Sequence, residues 1–233
     1  MQYCTSVAVK AVITRFRFKV RGRLLSAWLR RQVRPNEECT RLGSQYGGWW
    51  VPLGRINASS VVYSFGVGED TTFDEALIAA TGCRIDAFDP TPKAVEHARK
   101  CQQPNFHMHE VALWGSDGGL DLFLPIREDF ASYSVQDRSG QGQSIRVTAR
   151  TLPTIMEELG HQRVDLLKMD IEGAEAVALD ALISGSWPRP LVLGVELELD
   201  EPVPATISRV RALLRLGYRV LQVEGRNACL VLQ

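Results

Sequence analysis

Three carboxylates stand where a chain could use them for proton chemistry. The stretch D-L-L-K-M-D-I-E-G-A-E (165–175) carries Asp170 and Glu172 straight after an apolar run, and L-V-L-G-V-E (191–196) ends on Glu196. A carboxyl group at the end of an apolar strand is costly unless partnered. Asp170, Glu172 and Glu196 are therefore the candidate catalytic groups, with Asp170 first as a general base that relieves a hydroxyl of its proton. Three oxygen ligands converging there could instead hold Mg²⁺; the metal-free base is preferred, and no residue is assigned as a metal ligand. Glu175 reads as a helix first-turn acid, favoured there by the dipole.

A second chemical mark is V-V-Y-S-F-G-V-G-E-D (61–70). An apolar strand entering G-x-G usually opens a nucleotide cradle, in which backbone N–H groups and a helix N-terminus receive phosphate. Here the position of a third glycine is Thr71, and Glu69 and Asp70 would repel a pyrophosphate at close range. S-adenosylmethionine carries sulfonium and ammonium charges and no phosphate, so acids beside the turn tolerate or help it. The same acids also suit the first turn of the following helix. Asp89 closes A-F-D-P-T-P, 21 residues after Gly68. A carboxylate there can accept from both ribose hydroxyls, with capping of the next helix as its competing role.

Alternating elements must position these groups. V-V-Y-S-F (61–65), R-I-D-A-F (84–88), F-H-M-H-E-V-A-L (106–113), V-D-L-L-K-M (164–169) and L-V-L-G-V-E-L (191–197) read as strands. Helical patterns occupy 71–81, 92–101, 151–160, 174–184 and 203–216. Thr71 and Asp74 are spaced as a capping box, and Pro92 falls in a first turn. Between 119 and 149 the helical period disappears: L-D-L-F-L-P, A-S-Y-S-V and S-I-R-V-T-A, split by turn residues, predict a β-hairpin insertion. Tyr133 and Ser132 lie in that segment, which is placed to shape acceptor choice. Y-R-V-L-Q-V and C-L-V-L-Q across E-G-R-N predict a closing antiparallel hairpin at the sheet edge. The sum is an α/β fold: a Rossmann-like, mostly parallel sheet of the class I methyltransferase kind, with an antiparallel C-terminal hairpin strand.

Several residues have competing readings. His107 and His109, two apart on one strand, have metal-ligand spacing, but strand histidines are more often structural; His97 and His161 read as surface residues. Y-G-G-W-W (46–50) either folds over a ligand or packs on the sheet edge. Cys4, Cys39, Cys83, Cys101 and Cys229 are odd in number and without C-x-x-C, as expected of reduced thiols.

The formal net charge of zero conceals a polarity. Residues 1–34 hold nine Lys or Arg and no acid, which leaves the rest at −9. Val9, Ile13, Phe16, Val20, Leu24 and Trp28 recur at helical spacing, as in an amphipathic basic helix, while R-F-R-F-K-V-R alternates as a strand would; the preferred reading of residues 1–45 is a basic extension that is solvated or docked on its own domain. It is interrupted by charge throughout, unlike a secretory signal. No apolar run reaches the roughly 18 residues of a membrane span. The expected location is cytoplasmic or membrane-peripheral, with peripheral membrane contact through residues 1–34, a small-molecule acceptor, and no sequence-specific nucleic acid as partner.

D-L-L-K-M-D-I-E-G-A-E after a degenerate glycine turn, with V-A-L-W-G-S-D-G between, resembles the FkbM family of S-adenosylmethionine-dependent methyltransferases over about residues 46–232. The resemblance implies a methyltransferase domain over 46–233 that transfers methyl to oxygen of a small-molecule, sugar or lipid-linked acceptor. The family's first motif usually reads D-x-G-x-N-x-G; Ser64 stands in place of its acid, Gly68 of its Asn and Asp70 of its last Gly. The candidate cofactor-binding set is Ser64, Gly66, Gly68, Asp89, Ala112 and Asp170. Two alternatives accompany this reading. One is a catalytically weakened cofactor-binding protein whose basic arm docks on membrane or nucleic acid. The other is an NAD(P)-dependent oxidoreductase, against which the missing third glycine, the acids at the turn and the closing hairpin all count.

Overall fold

The computed structural model describes residues 18–124, 133–138 and 140–233. Its frame is a seven-stranded sheet built from β3 (Val61–Phe65), β4 (Arg84–Phe88), β5 (Phe106–His109), β9 (Leu166–Met169), β10 (Val192–Glu196), β11 (Tyr218–Glu224) and β12 (Asn227–Leu232). The spatial order is β11-β12-β10-β9-β3-β4-β5. Strands β5, β4, β3, β9 and β10 run parallel, whereas β12 is antiparallel to both of its neighbours, β10 and β11. This corrects the expected edge placement: the reversed strand is inserted between β10 and β11, and β11 forms the edge. A six-residue strand whose Cys229, Leu230 and Val231 are buried gains more from pairs on both sides than from an open edge.

Helices α2 (Thr72–Thr81), α3 (Pro92–Ala98), α4 (Leu152–Leu159), α5 (Glu175–Ser184) and α6 (Val203–Arg215) fall where the periodicity put them. Stops and starts follow local chemistry. Gly82, Gly160 and Gly185 end α2, α4 and α5 in left-handed backbone, and the Thr151 hydroxyl accepts from the Thr154 N–H to begin α4. The strand region 106–113 divides: β5 stays in the main sheet, while β6 (Ala112–Leu113) joins β8 (Ser144–Arg150), which pairs antiparallel with β7 (Gly118–Phe123). Of the expected insertion strands, part of A-S-Y-S-V, including Ser132, lies outside the described residues.

A helix over 18–30, α1, precedes a small ribbon of β1 (Thr40–Leu42) and β2 (Trp49–Val51). Leu25 and Leu29 of α1 are fully buried in the same core as Leu199, Val210 and Leu213, and Arg211 lies over the Trp28 ring at 5.6 Å. Each such leucine contributes about 1.5–3 kcal/mol by burial. No helix among the described residues is long and apolar enough to cross a membrane.

Strand alternation divides the sheet into two faces. Tyr63, Phe65, Leu167 and Met169 belong to one core; Val62 and Leu166 join Phe73, Leu77 and Ile78 of α2 in the other. The register then aligns the strand ends. Phe65 pairs with Phe88 and Met169, and Met169 with Val195. The next row is therefore Gly66, Asp89, Asp170 and Glu196.

Candidate functional site

That row faces a cavity of about 670 Å³ beyond the carboxyl ends of the parallel strands, where open α/β sheets bind ligands. Its floor includes Phe65 and Phe88, stacked at 4.3 Å, and its rim includes Tyr46, Tyr133, Phe18 and Ala112. Seven carboxylate side chains line it (Glu69, Asp70, Asp89, Asp170, Glu172, Glu196 and Glu198) against three basic ones, Arg138, Lys168 and Arg226.

Gly66 must be glycine. It has φ +80°, its N–H donates to Phe88 O at 2.9 Å, and an added Cβ would lie 1.7 Å from the Asp170 carbonyl oxygen. Gly68, at φ +58°, donates its N–H to Asp89 Oδ2 at 3.0 Å. The other oxygen of Asp89 accepts from the Thr91 N–H at 2.9 Å and the Thr91 hydroxyl at 2.6 Å. Asp89 thus fastens the glycine turn to the start of α3, the capping role, while still lining the cavity with acceptor capacity to spare.

Asp70 is similarly occupied. One oxygen accepts from the Thr72 N–H at 2.9 Å; the other accepts from Ser44 Oγ at 2.5 Å, and Ser44 Oγ in turn receives the Gly47 N–H at 2.8 Å. Asp70 therefore starts α2 and pins the 44–47 loop beside the cavity. The expected capping box is replaced: Thr71 makes no side-chain bond to the helix backbone and its hydroxyl goes to Glu75 at 2.6 Å, while Asp74 turns inward and is buried.

Ser64 is not brought to the cavity. It lies on the α2 face of β3, fully buried, and its hydroxyl has no hydrogen-bond partner among the described residues. Beside it are Lys168, its register partner on β9, and Asp74. Burial pushes the Asp74 carboxyl up, and the Lys168 charge pulls against that. The Lys168 ammonium donates to Gly66 O at 2.7 Å and stands 5.6 Å over the Trp49 ring. A buried cation thus supports the glycine turn from beneath, a role that the K of K-x-D-x-E-G does not disclose in sequence.

At the opposite wall Asp170 and Glu196 hydrogen-bond each other across adjacent strand ends. Burial, then the facing Asp170 charge, pushes Glu196 up to about 7, although Arg226 binds its other side. Burial also raises Asp170, with Lys168 opposing. Two buried carboxyls facing each other at adjacent strand ends favour keeping one of them protonated. Glu172 is held apart from it: at φ +51°, it receives Arg138 Nη1 at 2.8 Å, and its carbonyl accepts from Ser134 Oγ at 2.9 Å. Arg138 continues to Asp200 at 2.6 Å. Glu175 receives the Ile171 and Gly173 N–H groups at 2.7 and 2.8 Å and clamps the turn, while burial raises it to about 8.

Among the described residues no group of three His, Cys, Asp or Glu could hold a metal ion. Two histidines have structural partners: His109 Nε2 meets buried Asp86 at 2.9 Å, and His161, expected at the surface, bonds the buried Tyr63 hydroxyl at 2.7 Å. Cys39, Cys83, Cys101 and Cys229 are free thiols.

Parallel strands closed by a reversed strand in the penultimate position, with a cavity at their carboxyl ends, define the class I methyltransferase architecture. The model of the methyltransferase FkbM domain matches residues 56–220, and the chain belongs to that family. It is 29% identical over 127 residues to the probable methyltransferase-like protein 24 of Homo sapiens, covering 54% of this chain and 29% of that one. The Rattus norvegicus protein of the same name is 30% identical over 122 residues, covering 52% and 28%. The chain therefore spans less than a third of the curated relatives it matches. A solved methyltransferase FkbM from Methylobacillus flagellatus KT superposes with a TM-score of 0.46 at 14% identity, covering 75% of this chain and 44% of that one.

Proposed function

We propose that the protein binds S-adenosylmethionine in this cavity and methylates an oxygen of a small-molecule, sugar or lipid-linked acceptor. The observation that carries this reading is an acid-rich cavity over a glycine turn, with Asp170 and Glu196 on its wall at the ends of adjacent strands. A cationic ligand gains from that charge and a pyrophosphate loses, the more so where water is scarce. When bound, the cofactor supplies an electrophilic methyl group. Gly68 leaves open space for a ligand against the backbone, Gly66 lets the turn close on the Asp170 carbonyl, Asp89 and Ala112 line the adenosine side, and Asp170 lies toward the reacting side. Asp170 and Glu196 take the acceptor's hydroxyl proton, the pair buffering it as the new bond to oxygen forms. Alignment within the cavity is worth roughly 7–11 kcal/mol of the barrier. Glu172 holds the turn through Arg138 rather than serving as a base, and Ser64 acts only from behind the wall.

Calorimetric titration with S-adenosylmethionine, and with NAD⁺ in parallel, tests the assignment. Wild type is expected to bind the first at roughly micromolar Kd and the second not at all, and Asp89→Ala to weaken binding about tenfold or more. Binding of NAD⁺ alone, or of neither ligand, overturns it.

A further inference from the structure

Helix α1 carries two apolar faces, and the fold uses one. Leu25 and Leu29 are buried, and Gly22 approaches Leu199 closely enough that an added Cβ would sit 3.4 Å from its Cδ1. Val20 and Leu24, two members of the apolar stripe legible in the sequence, are instead 37% and 61% exposed. Ala27 continues their line at the i+3 position and is exposed as well. On the adjoining arc Lys19, Arg23 and Arg30 are exposed, with Arg31 and Arg34 further along the segment.

The exposed large apolar side chains among the described residues are Phe18, Val20, Leu24 and Tyr46. Three belong to α1; Phe18 and Tyr46 both line the cavity, and Arg226 lies over the Phe18 ring at 5.6 Å. Phe18 precedes Leu25 and Leu29 at helical spacing, so the packed side of α1 reaches the cavity, while Val20 and Leu24 point the other way.

We propose that this face of α1 docks on an anionic lipid bilayer, with Val20 and Leu24 entering the interface and Lys19, Arg23 and Arg30 meeting lipid headgroups. The surface that covers it must be anionic, because residues 1–34 hold nine basic groups and no acid. It must also admit aliphatic side chains side by side with those charges. A nucleic-acid backbone meets the first requirement but gives Val20 and Leu24 no apolar medium. A bilayer bearing acidic lipids meets both, and an amphipathic helix with a basic flank is the form that lies in such an interface.

The full chain is sedimented with neutral phosphatidylcholine vesicles and with vesicles holding about 30% phosphatidylserine, at about 0.1 M and about 0.5 M salt. Binding to the anionic vesicles is expected to exceed binding to neutral ones by roughly tenfold and to weaken in high salt. The V20S/L24S double variant keeps every charge and is expected to lose roughly tenfold in binding; K19E/R23E is expected to abolish it. All four positions are exposed, so Tm and S-adenosylmethionine titration should match wild type and show that the fold is retained. Absence of vesicle binding, equal binding to both vesicle types, or wild-type binding by V20S/L24S overturns the proposal. So does self-association or binding to a nucleic-acid duplex that V20S/L24S removes while vesicles are ignored.

Discussion

At the glycine turn, Asp70 and Asp89 spend their oxygens on N–H groups of Thr72, Gly68 and Thr91; at the ends of β9 and β10, Asp170 and Glu196 turn theirs on each other. The electrostatic consequence differs accordingly. Burial alone would raise Asp70, but bonds from Ser44 and Thr72 outweigh it and hold the carboxyl below its usual range. No backbone N–H donates to the second pair among the described residues, so burial dominates, raising Asp170 and, with the Asp170 charge, pushing Glu196 up to about 7. Two acid pairs line one cavity, and the one not held by backbone N–H groups is the one suited to exchange a proton during turnover.

The largest effect is expected where that proton moves. Glu196→Gln and Asp170→Asn should each lower kcat by about 10²–10⁴-fold while the chain stays folded. Retention of most of the rate in both variants would show that the acceptor needs no base from this pair. The same comparison assigns Asp70 a different kind of loss. Asp70→Ala removes the start of α2 and the anchor of the 44–47 loop, which should cost about 1–2 kcal/mol of stability. For a chain of this size that corresponds to a fall in Tm of roughly 2–8 °C, read by calorimetry, with the pH profile of turnover unmoved. An Asp70→Ala protein that unfolds like wild type but shifts that profile would erase the distinction between the two regions.

How far these regions were legible in sequence follows from the range of the interactions. Alternating βα elements and the strand-end carboxylates depend on neighbours a few residues away, and Asp89, Asp170 and Glu196 reach the cavity together because their strands share a register. The charges that temper them come from afar. Arg226 meets Glu196 across 30 residues and Arg138 meets Asp200 across 62, so spacing could not assign either. One local signal was available: Glu196, Glu198 and Asp200 alternate in V-E-L-E-L-D, and that alternation places acids side by side for an arginine to bridge. Ser64 failed as a cavity residue because strand alternation turns it toward α2, beside Asp74 and Lys168. The antiparallel strand was foreseen, whereas its insertion beside β10 depends on tertiary pairing that a hairpin pattern leaves open.

The smallest expected effect is a slope of stability against pH, and it carries the sign of the comparison. Glu196 is raised from 4.5 to about 7, and Glu175 from 4.5 to about 8. Between the unfolded and folded values the native chain binds more protons than the unfolded one, so stability falls as pH rises. The contribution is full below about pH 4.5 and is lost as pH climbs through 7 to 8. Asp70, lowered in the folded state, is ionised in both states across that window and adds no slope there. Calorimetric Tm should therefore decline from pH 5 to pH 8, and Glu196→Gln should flatten part of the decline, on the order of 1 kcal/mol. Glu196→Gln should thus be the more stable protein at pH 8 and the slower enzyme. A Tm that rises with pH across the window, or a variant with the slope of wild type, would mean that Glu196 is ionised in the native state and that Arg226, rather than Asp170, governs its proton.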